Sequence, residues 1–180
     1  MRRNIVTGSA SGMGAAVREL LRARGEEVVG IDRRDAEIIA DLGTAPGRAA
    51  AIAAAGERMP QGFDALILCA GVANSDGRAV VAVNYFGVTE LVGGLRPLLR
   101  RARGARVVAI SSSAMILPID EAIVTSCLAG DEHAALTAAQ DNPLAYASSK
   151  AALSRWIRLT SIASGWADCD ILLNGVAPGR

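Results

Sequence analysis

The 180-residue sequence is poor in aromatic residues, histidine, lysine and net charge. Aromatic side chains make up 3% of the residues while hydrophobic residues make up 51%, so aliphatic side chains are expected to form the core. A formal net charge of +1 argues against nucleic acid or a membrane surface as a main partner. The length suits a single domain, residues 1–180, with a sizeable core.

Cysteine is also scarce. Cys69, Cys127 and Cys169 are odd in number and far apart, no CxxC pair occurs, and His133 is the only histidine. This composition argues against a metal site. The sequence begins without the pattern of a signal peptide, and no apolar run reaches the length of a membrane span. We therefore expect a cytoplasmic protein from a reducing compartment.

Strand-like apolar segments alternate with helical patterns along the chain. The predicted strands are Asn4–Thr7, Glu27–Asp32, Ala36–Asp41, Asp64–Cys69, Arg106–Ile110 and Asp170–Ala177. The predicted helices are Ala15–Arg24, an alanine-rich helix capped by Thr44, Arg78–Leu99 and one from Tyr146 to about Gly165, while residues 114–142 look irregular with some helical character. The alternation favours an α/β fold, a doubly wound parallel sheet of the Rossmann-like type with three α/β/α layers. Ligands of such sheets bind at the carboxyl ends of the strands.

Three glycines mark the first turn from strand to helix. Gly8, Gly12 and Gly14 lie between the strand that ends at Thr7 and the helical pattern that follows. Glycine lets this turn close tightly and lets a pyrophosphate approach the free N–H groups of the helix. The turn therefore predicts a dinucleotide site.

Asp32 ends the second predicted strand, 24 residues after Gly8. A carboxylate at this position accepts hydrogen bonds from the adenosine ribose and repels a 2′-phosphate, which favours NAD over NADP. Arg33 and Arg34 follow directly and favour the phosphate, so NADP is less expected but stays open.

Tyr146 and Lys150 are four residues apart, and Lys150 is the only lysine in the chain. On a helix the two side chains share one face. An ammonium beside a phenol favours the phenolate form, so the pair is suited to acid/base chemistry near neutral pH. Asn84 is a second unusual residue, since it interrupts an apolar helical run, where an asparagine is more often satisfied by local hydrogen bonds than functional.

These segments together resemble the short-chain dehydrogenases/reductases, over essentially the whole chain. Thr7–Gly14 fits the TGxxxGxG turn of that family and Tyr146–Lys150 fits its YxxxK pair. Cys69 departs from the usual Asn-Ala-Gly, which affects one loop-stabilising side chain. Further matches are Asp41-Leu42 with the adenine contacts, Asn84 with the helix asparagine, Ser112 with the catalytic serine, and Asn174 and Pro178-Gly179 with the nicotinamide segment.

The resemblance implies a catalytic set and a cofactor set. The catalytic set is Asn84, Ser112, Tyr146 and Lys150. The cofactor set is Gly8, Ser11, Gly12, Met13, Gly14, Asp32, Arg33, Asp41, Leu42, Cys69, Ala70, Gly71, Tyr146, Lys150, Pro178 and Gly179. Tyr146 would exchange a proton with the substrate oxygen, Ser112 would bond that oxygen, Lys150 would hold the nicotinamide ribose, and Asn84 would hold a water of a proton relay. No metal is required.

The implied activity is NAD-dependent interconversion of a secondary alcohol and a ketone, and several stretches resemble members that act on a hydroxysteroid or a xenobiotic carbonyl. Two alternatives stay open: another substrate such as a sugar, a polyol or an acyl ketone, and a non-catalytic NAD-binding protein of the same fold. The intact Ser112, Tyr146 and Lys150 set argues against the second alternative.

The resemblance also gives two expectations about the whole molecule. Members of the family commonly form homo-oligomers through long helices, and residues 113–145 are an insert beside those helices. The insert is expected either to alter that interface or to cover the active site. Members also continue past the sixth strand with a substrate loop, a helix and a seventh strand, so we expect this sequence to be incomplete at its C-terminal end.

Overall fold

The computed structural model describes residues 1–73 and 76–179. The strands are β1 (Arg3–Thr7), β2 (Glu27–Asp32), β3 (Ile38–Ile39), β4 (Ala65–Leu68), β5 (Ala105–Ile110) and β6 (Ile171–Val176). Within the described residues they form one parallel sheet of six strands in the order β3-β2-β1-β4-β5-β6. The order reverses direction at β1, which confirms the predicted doubly wound sheet.

The helices are α1 (Gly12–Ala23), α2 (Ala45–Arg58), α3 (Gly77–Val81), α4 (Gly87–Leu99), α5 (Glu121–Ala129), α6 (Glu132–Ala139) and α7 (Ala145–Ser161). A π-helical turn, Ala82–Phe86, joins α3 to α4, and 3₁₀ turns occupy Ser113–Ile116 and Ala167–Cys169. None of the helices among the described residues combines the length and the apolar character that a membrane span needs.

The helices divide between the two faces of the sheet according to the direction of each connection. Crossovers between parallel strands are right-handed, so the direction of a connection decides the face on which its helix lies. The connection through α1 runs toward β3, and α1 lies on one face. The connections through α2, α4 and α7 run toward β6, and these helices lie on the other face. The alternation in β5 agrees with this arrangement, since Ala105, Val107 and Ala109 are fully buried and the residues between them are half-buried. The main core therefore lies between the sheet and the α2–α4–α7 face.

Several predicted boundaries are wrong, among them the end of α7, which lies at Ser161 and not near Gly165. β3 is limited to Ile38–Ile39 because Asp35 adopts a left-handed conformation, φ 49°, and Glu37 turns its carboxylate back to accept a hydrogen bond from Gly30 N at 2.7 Å. α1 begins at Gly12 and not at Ala15, so its first turn includes the last glycines of the turn. Thr44 caps α2 as predicted, and its hydroxyl accepts a hydrogen bond from Gly47 N at 3.1 Å.

The predicted helical character of residues 114–142 is confirmed, but these residues are more regular than expected. Asp120 and Asp131 are N-cap residues, and their carboxylates accept from Ala122 N at 2.8 Å and Ala134 N at 2.9 Å. Gly130, with φ 74°, separates the two helices that result. α5 packs on α7, and α6 packs on α5 and α3. Six buried insert side chains join the core: Ile123, Val124, Cys127, Ala135, Ala139 and Ala145.

Candidate active site

Two neighbouring clefts open at the carboxyl edge of the sheet. The first, about 310 Å³, is lined by Gly8, Ser11, Gly12, Met13, Gly14, Ile31, Asp32, Arg33, Ala40, Asp41, Leu42, Cys69, Ala70, Gly71, Val72 and Val83. The second, about 1010 Å³, is lined by Met13, Cys69, Gly71, Val72, Ala73, Ile110, Ser111, Ser112, Ser113, Ala114, Ile116, Leu117, Tyr146, Lys150, Pro178 and Gly179. The clefts share four residues, so a ligand in the first can extend into the second.

The glycine turn shapes the first cleft. Gly8 has φ 65°, and a Cβ there would lie 2.8 Å from Ala70 N, while a Cβ on Gly14 would lie 2.1 Å from Gly8 O. Both positions therefore require glycine for close backbone packing. Gly12 differs, because a Cβ at this residue would meet no described atom within 4 Å. The turn is thus tightly packed against the protein at Gly8 and Gly14 and accessible at the start of α1, where backbone N–H groups can bind a phosphate.

Asp32 lies at the end of β2 with both carboxylate oxygens engaged. Oδ2 accepts a hydrogen bond from Ala10 N at 3.1 Å, and Oδ1 accepts one from Arg33 N at 2.7 Å. These bonds fix the carboxylate against the glycine turn, where it faces the cleft. Arg33 lines the same cleft, and Arg34 is not among its described lining residues.

Asn84 occupies the π-helical turn between α3 and α4 and is fully buried. Its Oδ1 accepts from Val72 N at 2.8 Å, and its Nδ2 donates to Val72 O at 2.9 Å and to Ser149 Oγ at 3.3 Å. The side chain is thus satisfied by hydrogen bonds within the protein, as such asparagines usually are. It fixes the Gly71–Val72 loop, which both clefts share, against the Tyr146 helix; its role in a proton relay stays a prediction.

Cys69 stands where the family motif has asparagine, and the loop is held in another way. Ala70 N donates to Thr7 Oγ1 at 3.0 Å, which joins the ends of β4 and β1. Burial raises the pKa of the Cys69 thiol, so this half-buried side chain lines both clefts in its neutral form.

The second cleft brings Ser112, Tyr146 and Lys150 together. Lys150 Nζ donates to Ile110 O at 2.8 Å and lies 5.9 Å from the centre of the Tyr146 ring. Burial lowers the pKa of Lys150 to about 8, because an ammonium shielded from water loses hydration. Ser112 follows β5, and its Oγ accepts from Ala114 N at 3.1 Å. The arrangement places one phenol, one hydroxyl and one amine at the same cleft.

The second cleft has an apolar rim, of which the sequence predicted Met13 as a cofactor residue but not Ile116 or Leu117 as site residues. Met13, Ile116 and Leu117 line this cleft and are 52%, 82% and 54% exposed. The run Met115-Ile116-Leu117-Pro118 is a signal that could have found the rim, since it is an apolar stretch outside the regular helices. Asn174, matched to the nicotinamide segment, is instead an exposed residue of β6 and is outside the described lining of both clefts.

Comparisons with known proteins place the chain in a family. A sequence profile of the short chain dehydrogenases matches residues 3–127. The chain is 41% identical over 184 residues to a 3-alpha-hydroxysteroid dehydrogenase/carbonyl reductase of Comamonas testosteroni, covering 97% of this chain and 71% of that protein.

Two solved structures add to the comparison. The 3-alpha-hydroxysteroid dehydrogenase from Pseudomonas sp. B-0831, complexed with NADH, superposes with a TM-score of 0.92 at 44% identity, covering 98% of this chain and 72% of that one. The Pseudomonas aeruginosa RhlG/NADP active-site complex has a TM-score of 0.77 at 28% identity, covering 99% and 71%. The chain belongs to the short-chain dehydrogenase/reductase family of oxidoreductases.

Proposed function

We propose that this protein interconverts a secondary alcohol and a ketone with NAD as the hydride carrier. The observation that carries the proposal is the junction of the two clefts. Ser112, Tyr146 and Lys150 line the second cleft, which shares its wall with the cleft that holds the glycine turn and Asp32. A dinucleotide that extends across this junction would bring its nicotinamide beside the phenol.

The residues of the first cleft fit such a cofactor. The space at Gly12 and the start of α1 would receive the pyrophosphate, Asp32 would accept from the adenosine ribose, and Asp41 and Leu42 would flank the adenine. Pro178 and Gly179 line the second cleft, where they would lie beside the nicotinamide. When bound, the nicotinamide supplies or accepts the hydride.

The remaining chemistry is the movement of one proton at the substrate oxygen. Tyr146 would donate that proton during ketone reduction and accept it during alcohol oxidation. Ser112 Oγ would donate a hydrogen bond to the same oxygen and stabilise the charge that develops on it. Lys150, whose ammonium lies near the Tyr146 ring, would stabilise the phenolate and donate to the nicotinamide ribose.

The position of Asp32 supports NAD over NADP. Its carboxylate is fixed by Ala10 N and Arg33 N, so it cannot easily turn away from an added 2′-phosphate. The repulsion would outweigh the attraction of Arg33, an exposed side chain screened by water and salt.

The rim of the second cleft supports a substrate with a bulky apolar skeleton. Exposed Met13, Ile116 and Leu117 would lose contact with water when such a skeleton binds, which is favourable for a steroid-like or xenobiotic ketone. A sugar or polyol would leave its hydroxyls against this apolar surface. The similarity to hydroxysteroid dehydrogenases supports the same substrate class.

The test is a cofactor titration followed by a screen of alcohols. Fluorescence titration should give tighter binding of NADH than of NADPH, and absorbance should report NAD reduction with an apolar cyclic secondary alcohol but not with a polyol of similar size. Binding of NADH without turnover of any alcohol or ketone would favour the non-catalytic alternative. Turnover of polyols alone would overturn the proposed substrate class.

A further inference from the structure

Tyr146 occupies the second position of α7, within the first turn of that helix. The first turn is the weakest part of a helix, because its N–H groups lack intrahelical partners. A side chain at the N-cap commonly satisfies one of them. At α7 the N-cap is Leu144, which makes no side-chain capping hydrogen bond with any described residue. The position of Tyr146 therefore depends on contacts from outside the helix.

Asn142 provides one of these contacts. Its Oδ1 accepts from Leu144 N at 2.9 Å, and its backbone carbonyl accepts from Ala145 N at 3.1 Å. The orientation of the amide is set on the other side, where Nδ2 donates to Asp120 Oδ2 at 2.8 Å and to Ala138 O at 3.1 Å. The bond to the Asp120 carboxylate is the shorter and the charge-assisted one, so its loss removes the stronger of the two contacts that turn the amide oxygen toward Leu144.

Asp120 also contacts α7 directly. Its backbone N donates to Ser148 Oγ at 2.9 Å, and the same hydroxyl donates to Leu144 O at 2.7 Å. Ser148 is fully buried. The hydrogen bond from Asn142 is the largest influence that holds the pKa of the Asp120 carboxyl below its usual range. Asp120 thus binds the start of α7 on both sides of Tyr146, at Leu144 through Asn142 and at Ser148.

We infer that Asp120 is a positioning residue that holds Tyr146 in its catalytic orientation. The inference rests on the proposed role of Tyr146. Asp120 is outside the described lining of both clefts and acts through the helix. The insert that contains Asp120 would therefore contribute to catalysis by holding the first turn of α7 in position.

The variant Asp120→Asn tests this role. In asparagine one of the two carboxylate oxygens becomes an NH2 donor, so the contacts of Oδ1 with Ala122 N and of Oδ2 with Asn142 Nδ2 cannot both persist in the present geometry. We expect kcat per NADH-binding site to fall about tenfold or more, since a small displacement of a reacting group costs much of the rate. The dissociation constant of NADH should not change, because Asp120 does not reach the cofactor cleft.

Asp131→Asn is the matched control. Asp131 caps α6 through Ala134 N, a contact that asparagine preserves, and the substitution changes the charge by the same amount. This variant should keep the kcat of the parent protein. If Asp120→Asn does not fold, Ser148→Ala is the second variant. It removes the acceptor of Asp120 N and places a good helix former in α7. It should show the same loss of kcat, and its affinity for NADH should be unchanged.

Two results would count against the inference. Folded Asp120→Asn or Ser148→Ala protein with the parental kcat, even with a lower temperature of unfolding, would show a merely structural role and overturn the inference alone. Near-normal turnover in Tyr146→Phe would overturn the proposed function itself, and the inference with it.

Discussion

Lys150 donates a hydrogen bond from Nζ to the carbonyl oxygen of Ile110, 2.8 Å away, and so joins the Tyr146 helix to the end of strand β5. The lysine is 5% exposed, and burial lowers its pKa to about 8. A buried ammonium costs stability unless its contacts replace the lost hydration. The position is therefore better explained by the chemistry of the cleft than by stability of the fold.

The stability cost of burying the Lys150 ammonium should depend on pH, and comparison with Lys150→Met should reveal this dependence. The pKa of Lys150 is about 8 in the folded protein, while a lysine free in water has a pKa of 10.5. Between these two pH values the unfolded chain therefore binds more protons than the folded protein. The free energy of unfolding of the parent protein should therefore rise with pH across this window relative to Lys150→Met. Urea unfolding of both proteins at neutral pH and within the window measures the difference.

Lys150→Arg is the control for that experiment. A guanidinium remains charged throughout the window, so the stability difference between Lys150→Arg and Lys150→Met should stay constant. Turnover should still fall in Lys150→Arg, because the planar fork does not reproduce the compact ammonium. A constant difference between the parent protein and Lys150→Met would contradict the lowered pKa.

Tyr146→Phe should remove the proton donor while leaving the cofactor cleft intact. We expect kcat to fall by a factor on the order of 10² to 10⁴, with the NADH dissociation constant unchanged. Tyr85→Phe is the matched control, since Tyr85 is 2% exposed, packs in the core against Phe86 and is outside the described lining of both clefts. Equal losses in the two variants would mean that the phenol of Tyr146 has no special role.

Asp32→Ala should narrow the preference for NAD over NADP, because it removes the carboxylate that would repel a 2′-phosphate. The measurement is the ratio of kcat/KM for the two cofactors. In that background Arg33→Ala should weaken NADP use and Arg34→Ala should not, since of these two arginines only Arg33 belongs to the described lining of the cleft. Equal use of NAD and NADP by the parent protein would contradict the assignment.

Arg48→Ala should be strongly destabilising. The fully buried guanidinium bonds Glu90 of α4 at 2.7 Å and Glu132 of α6 at 2.6 Å, so it joins three helices. The substitution empties buried space and breaks hydrogen bonds to carboxylates that are themselves partly exposed, so we expect a loss of about 2 kcal/mol in the free energy of unfolding. Arg155→Ala removes the more exposed ion pair with Glu121, which water and salt screen, and should cost much less. Similar losses in urea unfolding would show that burial of Arg48 has little effect.

The insert should prevent oligomers that pair α4 and α7 in the manner common in this family. α5 packs on α7, α6 packs on α3, and Glu132 of the insert reaches Arg48, so the insert lies against the helical layer. Its 3₁₀ turn lines the second cleft, while α5 and α6 are outside the described lining of both clefts. The 3₁₀ turn thus lies at the cleft, as the second expectation for the insert has it, while the altered interface stays a prediction.

Oxidative cross-linking of Gly93→Cys tests the assembly. Gly93 is an exposed position of α4 at which an added Cβ meets no described atom within 4 Å. We expect no cross-linked dimer beyond that of the parent protein, while light scattering reports whether an oligomer is present. Efficient cross-linking would show that α4 pairs across a two-fold axis despite the insert.

The sequence was sufficient for features that depend on local pattern. The Tyr146–Lys150 spacing predicted one face of one helix, the glycines predicted a tight turn before α1, and the alternation of strands and helices predicted the doubly wound sheet. The two ends of β3 and the bounds of the insert helices were not predicted correctly. Short elements have weak periodicity, and their ends depend on capping residues and on side chains that hydrogen-bond back to the backbone.

Only the tertiary structure decided which distant groups meet. The bonds of Asp120 to Ser148 and Asn142, and of Lys150 to Ile110, join residues at least 22 positions apart along the chain. A hydrophobic pattern shows which side of an element is buried but not which polar groups face one another across the packed elements. The sequence by itself determined the chemical groups of the candidate site, and the packing of the insert and helices determined how those groups are held, because each of these hydrogen bonds exists only once its two elements are in contact.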